Sequence, residues 1–142
     1  MISEGILNIN KPQDMTSHDV CAIVRRTLGV KKVGHTGTLD PNATGVLPVC
    51  FGKATKLIEY LDMDLKTYRC TMILGVETDT LDVWGNELCR ERVSVTKEDV
   101  KAAFSGFTGR IMQLPPMYSA VKVNGRKLYE YAREGQDIEV KA

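Results

Sequence analysis

The chain has 142 residues, 43% hydrophobic and 26% charged with five prolines, a composition that fits one ordinary globular core and excludes a disordered or fibrous chain. There is no signal-peptide pattern and no apolar run of membrane-spanning length. Cys21, Cys50, Cys70 and Cys89 show no CxxC spacing, and neither histidine sits at finger-like distance, so reduced cytoplasmic thiols are expected rather than a zinc site. With 19 Lys+Arg against 18 Asp+Glu the formal charge is +1. A nucleic-acid partner would therefore have to meet local clusters, the best being Arg25, Arg26, Lys31 and Lys32, then Arg110, Lys122, Arg126, Lys127 and Arg133.

Residues 5–9 (GILNI) form a short apolar strand candidate that Lys11-Pro12 breaks. Thr16 and Asp19 then make a T-x-x-D capping box. Val20, Ile23, Val24 and Leu28 recur at helical spacing until Gly29 ends the run. A glycine-rich loop, Gly34 to Gly45, leads into a strand over Val46–Phe51, and a helix is expected over 53–62 with Leu57, Ile58 and Leu61 on one face. Alternation in residues 66–74 (KTYRCTMIL) predicts a half-buried strand with Tyr68, Cys70, Met72 and Leu74 on its apolar face. Residues 77–86 read as a polar loop. Thr96 and Asp99 cap a helix that runs through Phe104, and residues near 118–123 read as a strand closed by the turn Asn124-Gly125. A helix over 126–134 ends at Gly135, and Asp137 to Val140 begin another strand. The order predicts an α+β fold, with no linker to mark a domain boundary.

One segment stands out chemically: Gly34-His35-Thr36-Gly37-Thr38-Leu39-Asp40-Pro41. Its glycines let the backbone turn sharply and approach a ligand. Asp40, between Leu39 and the rigid Pro41, is either a fixed reactive carboxylate or the N-cap of a helix starting at Pro41. A P-loop is excluded because the Gly-Lys-Ser/Thr ending is missing. By spacing alone His35 is a loop histidine, Tyr68 a core aromatic, and Asp79 and Asp82 turn-formers.

Taken together, four ordered stretches resemble the TruB family of tRNA pseudouridine synthases, which isomerise uridine 55 in the T-loop of tRNA. The stretches are Asn10-Lys11-Pro12-Gln13-Asp14-Met15-Thr16-Ser17, GHTGTLDPNATGVLPV (34–49), LGVETDTLDVWG (74–85) and QLPPMYSAVKVNGRKLYEYAR (113–133). The resemblance implies the pseudouridine synthase fold, a mixed and largely antiparallel sheet flanked by helices. It makes Asp40 the nucleophile, His35 an RNA contact near the flipped nucleotide, and Tyr68 the ring stacked on the target base. Lys11 and Asp79 become substrate-binding supports of the pocket wall.

The implied reaction breaks a glycosidic bond and remakes it through carbon 5, with neither redox nor net hydrolysis, so it calls for no cofactor and no metal. The implied partner is the tRNA T-stem-loop. The sequence departs from the family at Asp14, where glycine is usual and a local backbone adjustment is expected. The resemblance also implies that residues 1–142 are the N-terminal portion of the catalytic domain. A later G-T-Y-I-R-like segment, whose arginine pairs with the aspartate, and a small RNA-binding domain are absent. An unfinished sheet edge would then invite self-association.

Overall fold

A computed structural model describes residues 3–61 and 65–140. Its contacts divide the chain into two compact units, Met1–Arg69 and Cys70–Ala142, although the sequence shows no linker between them.

The first unit is built on a three-stranded antiparallel sheet of order β1-β3-β2, from β1 (Gly5–Lys11), β2 (Val33–His35) and β3 (Gly45–Phe51). In the register Gly5 faces Phe51 and Lys11 faces Gly45, while Val33 faces Phe51 and His35 faces Val49. β1 thus runs on through Lys11, two residues past the expected end, because Lys11 is paired and fully buried.

Helix α1 (Ser17–Leu28) starts as expected. The Thr16 side chain accepts from the Asp19 amide, the Asp19 carboxylate accepts from the Thr16 amide, and Gly29 closes the helix at φ 63°. Val20, Cys21 and Val24 of α1 pack on Leu47 and Val49 of β3, with Ile9, Met15, Val33 and Leu39 around them. Leu39 is therefore held in the core one residue before Asp40.

The expected helix at 53–62 is a 3-10 segment, Gly52–Tyr60, with no buried residue; the far end of that expectation, Asp62, lies outside the described residues. A stretch that buries nothing has little packing to hold it at α pitch. Gly52 itself cannot be replaced cheaply. Its φ is 65°, and a Cβ there would collide with the Ser3 carbonyl oxygen and with Glu4.

The second unit contains hairpin β4–β5 (Val76–Thr78 with Glu87–Arg90), helix α2 (Lys97–Phe104), the two-residue pair β6–β7 (Lys122–Val123 with Arg126–Lys127) and helix α3 (Leu128–Arg133). Helix α2 has the expected capping box of Thr96 and Asp99. Asn124 and Gly125 form the expected turn with both φ angles positive, 51° and 82°. That hairpin takes up Arg126 and Lys127, so α3 begins two residues later than the sequence suggests.

Three expectations are corrected. Residues 66–74 form no strand: the alternation is present, but no described strand hydrogen-bonds to it, and a strand without a ladder has no means of burying its backbone. Asp137 to Val140 likewise form no strand. The loop expected at 77–86 is corrected only at its start: Glu77 and Thr78 finish β4, and 79–86 is the loop that leads into β5. All strand pairings among the described residues are antiparallel, in keeping with the α+β expectation.

Candidate active site

The connection from β2 to β3 carries the segment singled out by sequence. Asp40 is exposed and does not cap a helix: its carbonyl accepts from the Ala43 amide at 3.0 Å, closing a turn with Pro41 and Asn42 inside it. Among the described residues nothing donates to its carboxylate, which faces solvent from a loop whose backbone is held on both sides.

On the far side the hold is Lys11. Its ammonium is 0% exposed and donates to the carbonyls of Pro12 (2.9 Å), Met15 (2.7 Å) and Pro41 (3.0 Å). Lysine has three N–H groups, and all three are used on backbone. Lys11 therefore ties the start of the chain to the residue directly after Asp40, supporting the site wall rather than reaching into it. On the near side the hold is Ser17, whose hydroxyl donates to the Leu39 carbonyl at 3.2 Å and accepts from the Leu39 amide at 3.0 Å. In the sequence Ser17 figures only as the last residue of the first family-like stretch, and no spacing rule marks a contact across 22 residues.

His35, at the end of β2, meets His18 of α1 edge to face, with ring centroids 5.9 Å apart. His35 Nδ1 and the neighbouring Thr36 Oγ1 are buried with no hydrogen-bond partner among the described residues. The structure thus brings Lys11, Ser17, His18, His35 and Asp40 together around one loop. Tyr68 is not packed as a core aromatic: its ring is 65% exposed in the unpaired stretch 65–70.

The same unit has a cavity of about 400 Å³ whose lining includes Lys31, Lys32, Lys53 and Lys56, with Glu4 the one acid. It lies at the Gly5–Phe51 end of the sheet, whereas Asp40 belongs to the Lys11–Gly45 end. The separation along β3 is about 20 Å at some 3.4 Å per residue. Lys31 and Lys32 were expected to form a basic group from sequence; Lys53 and Lys56 join them only in three dimensions.

In the second unit, Asp79 accepts from the Asn86 amide (2.8 Å) and from Asn86 Nδ2 (2.9 Å), and these bonds hold its carboxyl below the usual carboxylate range. Asp79 braces its own hairpin. Asp82 beside it accepts from the Thr80 hydroxyl (2.7 Å) and the Trp84 amide (2.9 Å). The second basic group is largely engaged within the chain. Arg126 pairs with Glu134 at 2.6 Å and lies over Tyr131, and Lys127 and Arg133 flank Tyr129. No group of three or more His, Cys, Asp or Glu is placed to hold a metal among the described residues.

Residues 25–142 match the family described as TruB family pseudouridylate synthase (N terminal domain). The chain belongs to the TruB family. It is 54% identical over 138 residues to the tRNA pseudouridine synthase B of Geobacillus thermodenitrificans, an alignment covering 96% of this chain and 46% of the relative. It is 55% identical over 137 residues to that of Symbiobacterium thermophilum, again 96% and 46%. The chain thus spans about half the length of the curated TruB relatives it matches. Among solved structures it resembles a chain in the crystal structure of a Cbf5-Nop10-Gar1 complex, with 30% identity and a TM-score of 0.58 over 84% of this chain and 31% of that one. Asp14, where the resemblance leads one to expect glycine, has φ 61°, a left-handed conformation that glycine adopts freely and aspartate tolerates better than most residues.

Proposed function

We propose that the intact protein isomerises uridine to pseudouridine in the T-loop of tRNA, at position 55, with Asp40 as the reacting carboxylate. The observation that carries this reading is an exposed aspartate on a loop latched to the core at both neighbours, in a chain of the TruB family. The bond from the sugar to N1 of uracil breaks, the base turns, and a bond from the sugar to carbon 5 forms; carbon 5 loses a proton and N1 gains one. A carboxylate attacks the sugar or the ring, or stabilises positive charge developing on the sugar, work that carboxylates also do in glycosidases. Holding Asp40 in one geometry contributes to rate because a misplacement of about 1 Å can cost about 100-fold.

The target base must leave its stack, at a cost of a few kcal/mol. In this reading Tyr68, exposed as it is, supplies a stacking surface worth roughly 1–3 kcal/mol that offsets part of that cost. His35, half-buried at the end of β2, contacts the RNA near the flipped nucleotide. The four lysines at the other end of the sheet meet phosphates of the folded stem-loop, whose recognition rests on shape and backbone. The proposed setting is the cytoplasm, where tRNA is modified; no helix among the described residues is long and apolar enough to cross a membrane.

The test is release of tritium from carbon 5 of uridine in a T-stem-loop RNA. Asp40→Asn is expected to abolish release while leaving RNA affinity within about threefold, and substantial residual turnover by that variant would refute the assignment. Coverage of about half the relatives' length favours a second reading, in which this chain by itself binds RNA without turning it over. RNA binding with no tritium release from the 142-residue chain would select that second reading.

A further inference from the structure

Ser17 is 2% exposed, and its hydroxyl both donates to and accepts from the backbone of one distant residue, Leu39. A serine inside a helix normally returns its hydroxyl to a carbonyl three or four residues back. Ser17 is the first residue of α1, so no such helical carbonyl precedes it, and its bonds cross 22 residues instead. By engaging the N–H and the C=O of Leu39 together it acts as one rung of a ladder. Neither backbone torsion of Leu39 can turn without breaking a bond, and those torsions set where Asp40 begins.

The Leu39 side chain packs against the core and fixes position; the Ser17 bonds fix direction. Thr16 and Asp19 satisfy the helix start between themselves, which leaves the Ser17 hydroxyl unneeded for capping. The next residue, His18, places its ring against His35. The first turn of α1 therefore touches both the backbone ahead of Asp40 and the side chain of His35.

We propose that Ser17 is a positioning residue for Asp40, a latch on Leu39 that complements the one Lys11 makes on Pro41. The proposal rests on Asp40 being the reacting carboxylate.

The test compares Ser17→Ala, Ser17→Thr and Asp40→Asn in the intact protein, by single-turnover tritium release at saturating T-stem-loop RNA, with RNA affinity and thermal unfolding measured alongside. A merely structural serine would lower the amplitude, which counts folded molecules, and leave the rate constant of those molecules unchanged. The positioning role predicts the opposite: the Ser17→Ala rate constant falls about 10- to 100-fold. Affinity then stays within about threefold, and Ser17→Thr, which keeps the hydroxyl, recovers most of the rate. An unchanged rate constant for Ser17→Ala overturns the proposal. Should Ser17→Ala fail to fold, Ser17→Cys, which keeps the volume and weakens both bonds, gives the same decision by the same rate constant. Asp40→Asn separates the two layers, because residual turnover there removes the reading of Asp40 whatever Ser17 does.

Discussion

Helices α1 and α2 begin identically, yet the units they belong to differ in kind. Each opens with a threonine accepting from an aspartate amide three residues on, and in each that carboxylate returns to the threonine. Helix α1 then buries four residues, whereas α2 buries none. Around α2 the large apolar side chains Met72, Leu74, Phe104 and Phe107 are 59%, 41%, 54% and 73% exposed. Among the described residues, the buried apolar ones of the second unit are Leu128 and Tyr131 alone. Local signals start a helix; what decides its burial is whether another element presents a matching face. In the first unit β3 presents one. In the second, α2 meets no such face and buries no residue.

The contrast is sharpest for matched leucines. Leu47 is 1% exposed and Leu88 is 65% exposed. Leu47→Ala is expected to cost about 2–5 kcal/mol and Leu88→Ala no more than about 0.5 kcal/mol in denaturant unfolding; equal costs would erase the distinction between the units. A smaller gap is expected for two left-handed glycines. Gly52→Ala combines strain with a backbone collision and should cost roughly 2–3 kcal/mol, while Gly125→Ala, with nothing within 4 Å of its added carbon, should cost about 1 kcal/mol.

The smallest effect is in acid. Hydrogen bonds from the Thr16 and Thr96 side chains hold the Asp19 and Asp99 carboxyls below the ordinary carboxylate value. Depressed in the folded state, both groups contribute stability that is present above that value and lost as pH falls through the folded one, below about pH 4. NMR shifts followed down to about pH 2 should show α2 unwinding as Asp99 protonates while α1, held by its buried face, persists. Loss of both helices together would mean that packing does not protect α1.

Much of this was legible in the sequence, and the failures are instructive. Both capping boxes, the Gly29 stop, β3 and the Asn124-Gly125 turn all depend on neighbours a few residues away, and each stands where the residues placed it. The stretch 66–74 alternates as a strand should, but pairing is a property of two segments and alternation of one. Tyr68 followed that error, expected in a core and found exposed. At the candidate site, Asp40 and His35 were visible through their glycine-rich setting. Ser17 was not, because its partner is distant in the chain, and the full burial of Lys11 contradicts the usual habit of lysine.

The enclosure of Lys11 also bears on how the chain responds to salt. Lys11 is the single buried charge among the described residues; it still counts toward the formal net charge of +1, but it presents no surface on which to meet a phosphate. With so small a net charge, attraction to RNA through overall charge is weak, and under the proposed function phosphate contact falls to Lys31, Lys32, Lys53 and Lys56. Each neutralised phosphate releases condensed counterions. The logarithm of affinity should then fall with the logarithm of salt concentration at a slope of about −3 to −4 for four contacts. Salt would thus tune RNA affinity through lysines at one end of the sheet, while the part-buried bonds that latch the backbone around Asp40 at the other end are less open to screening.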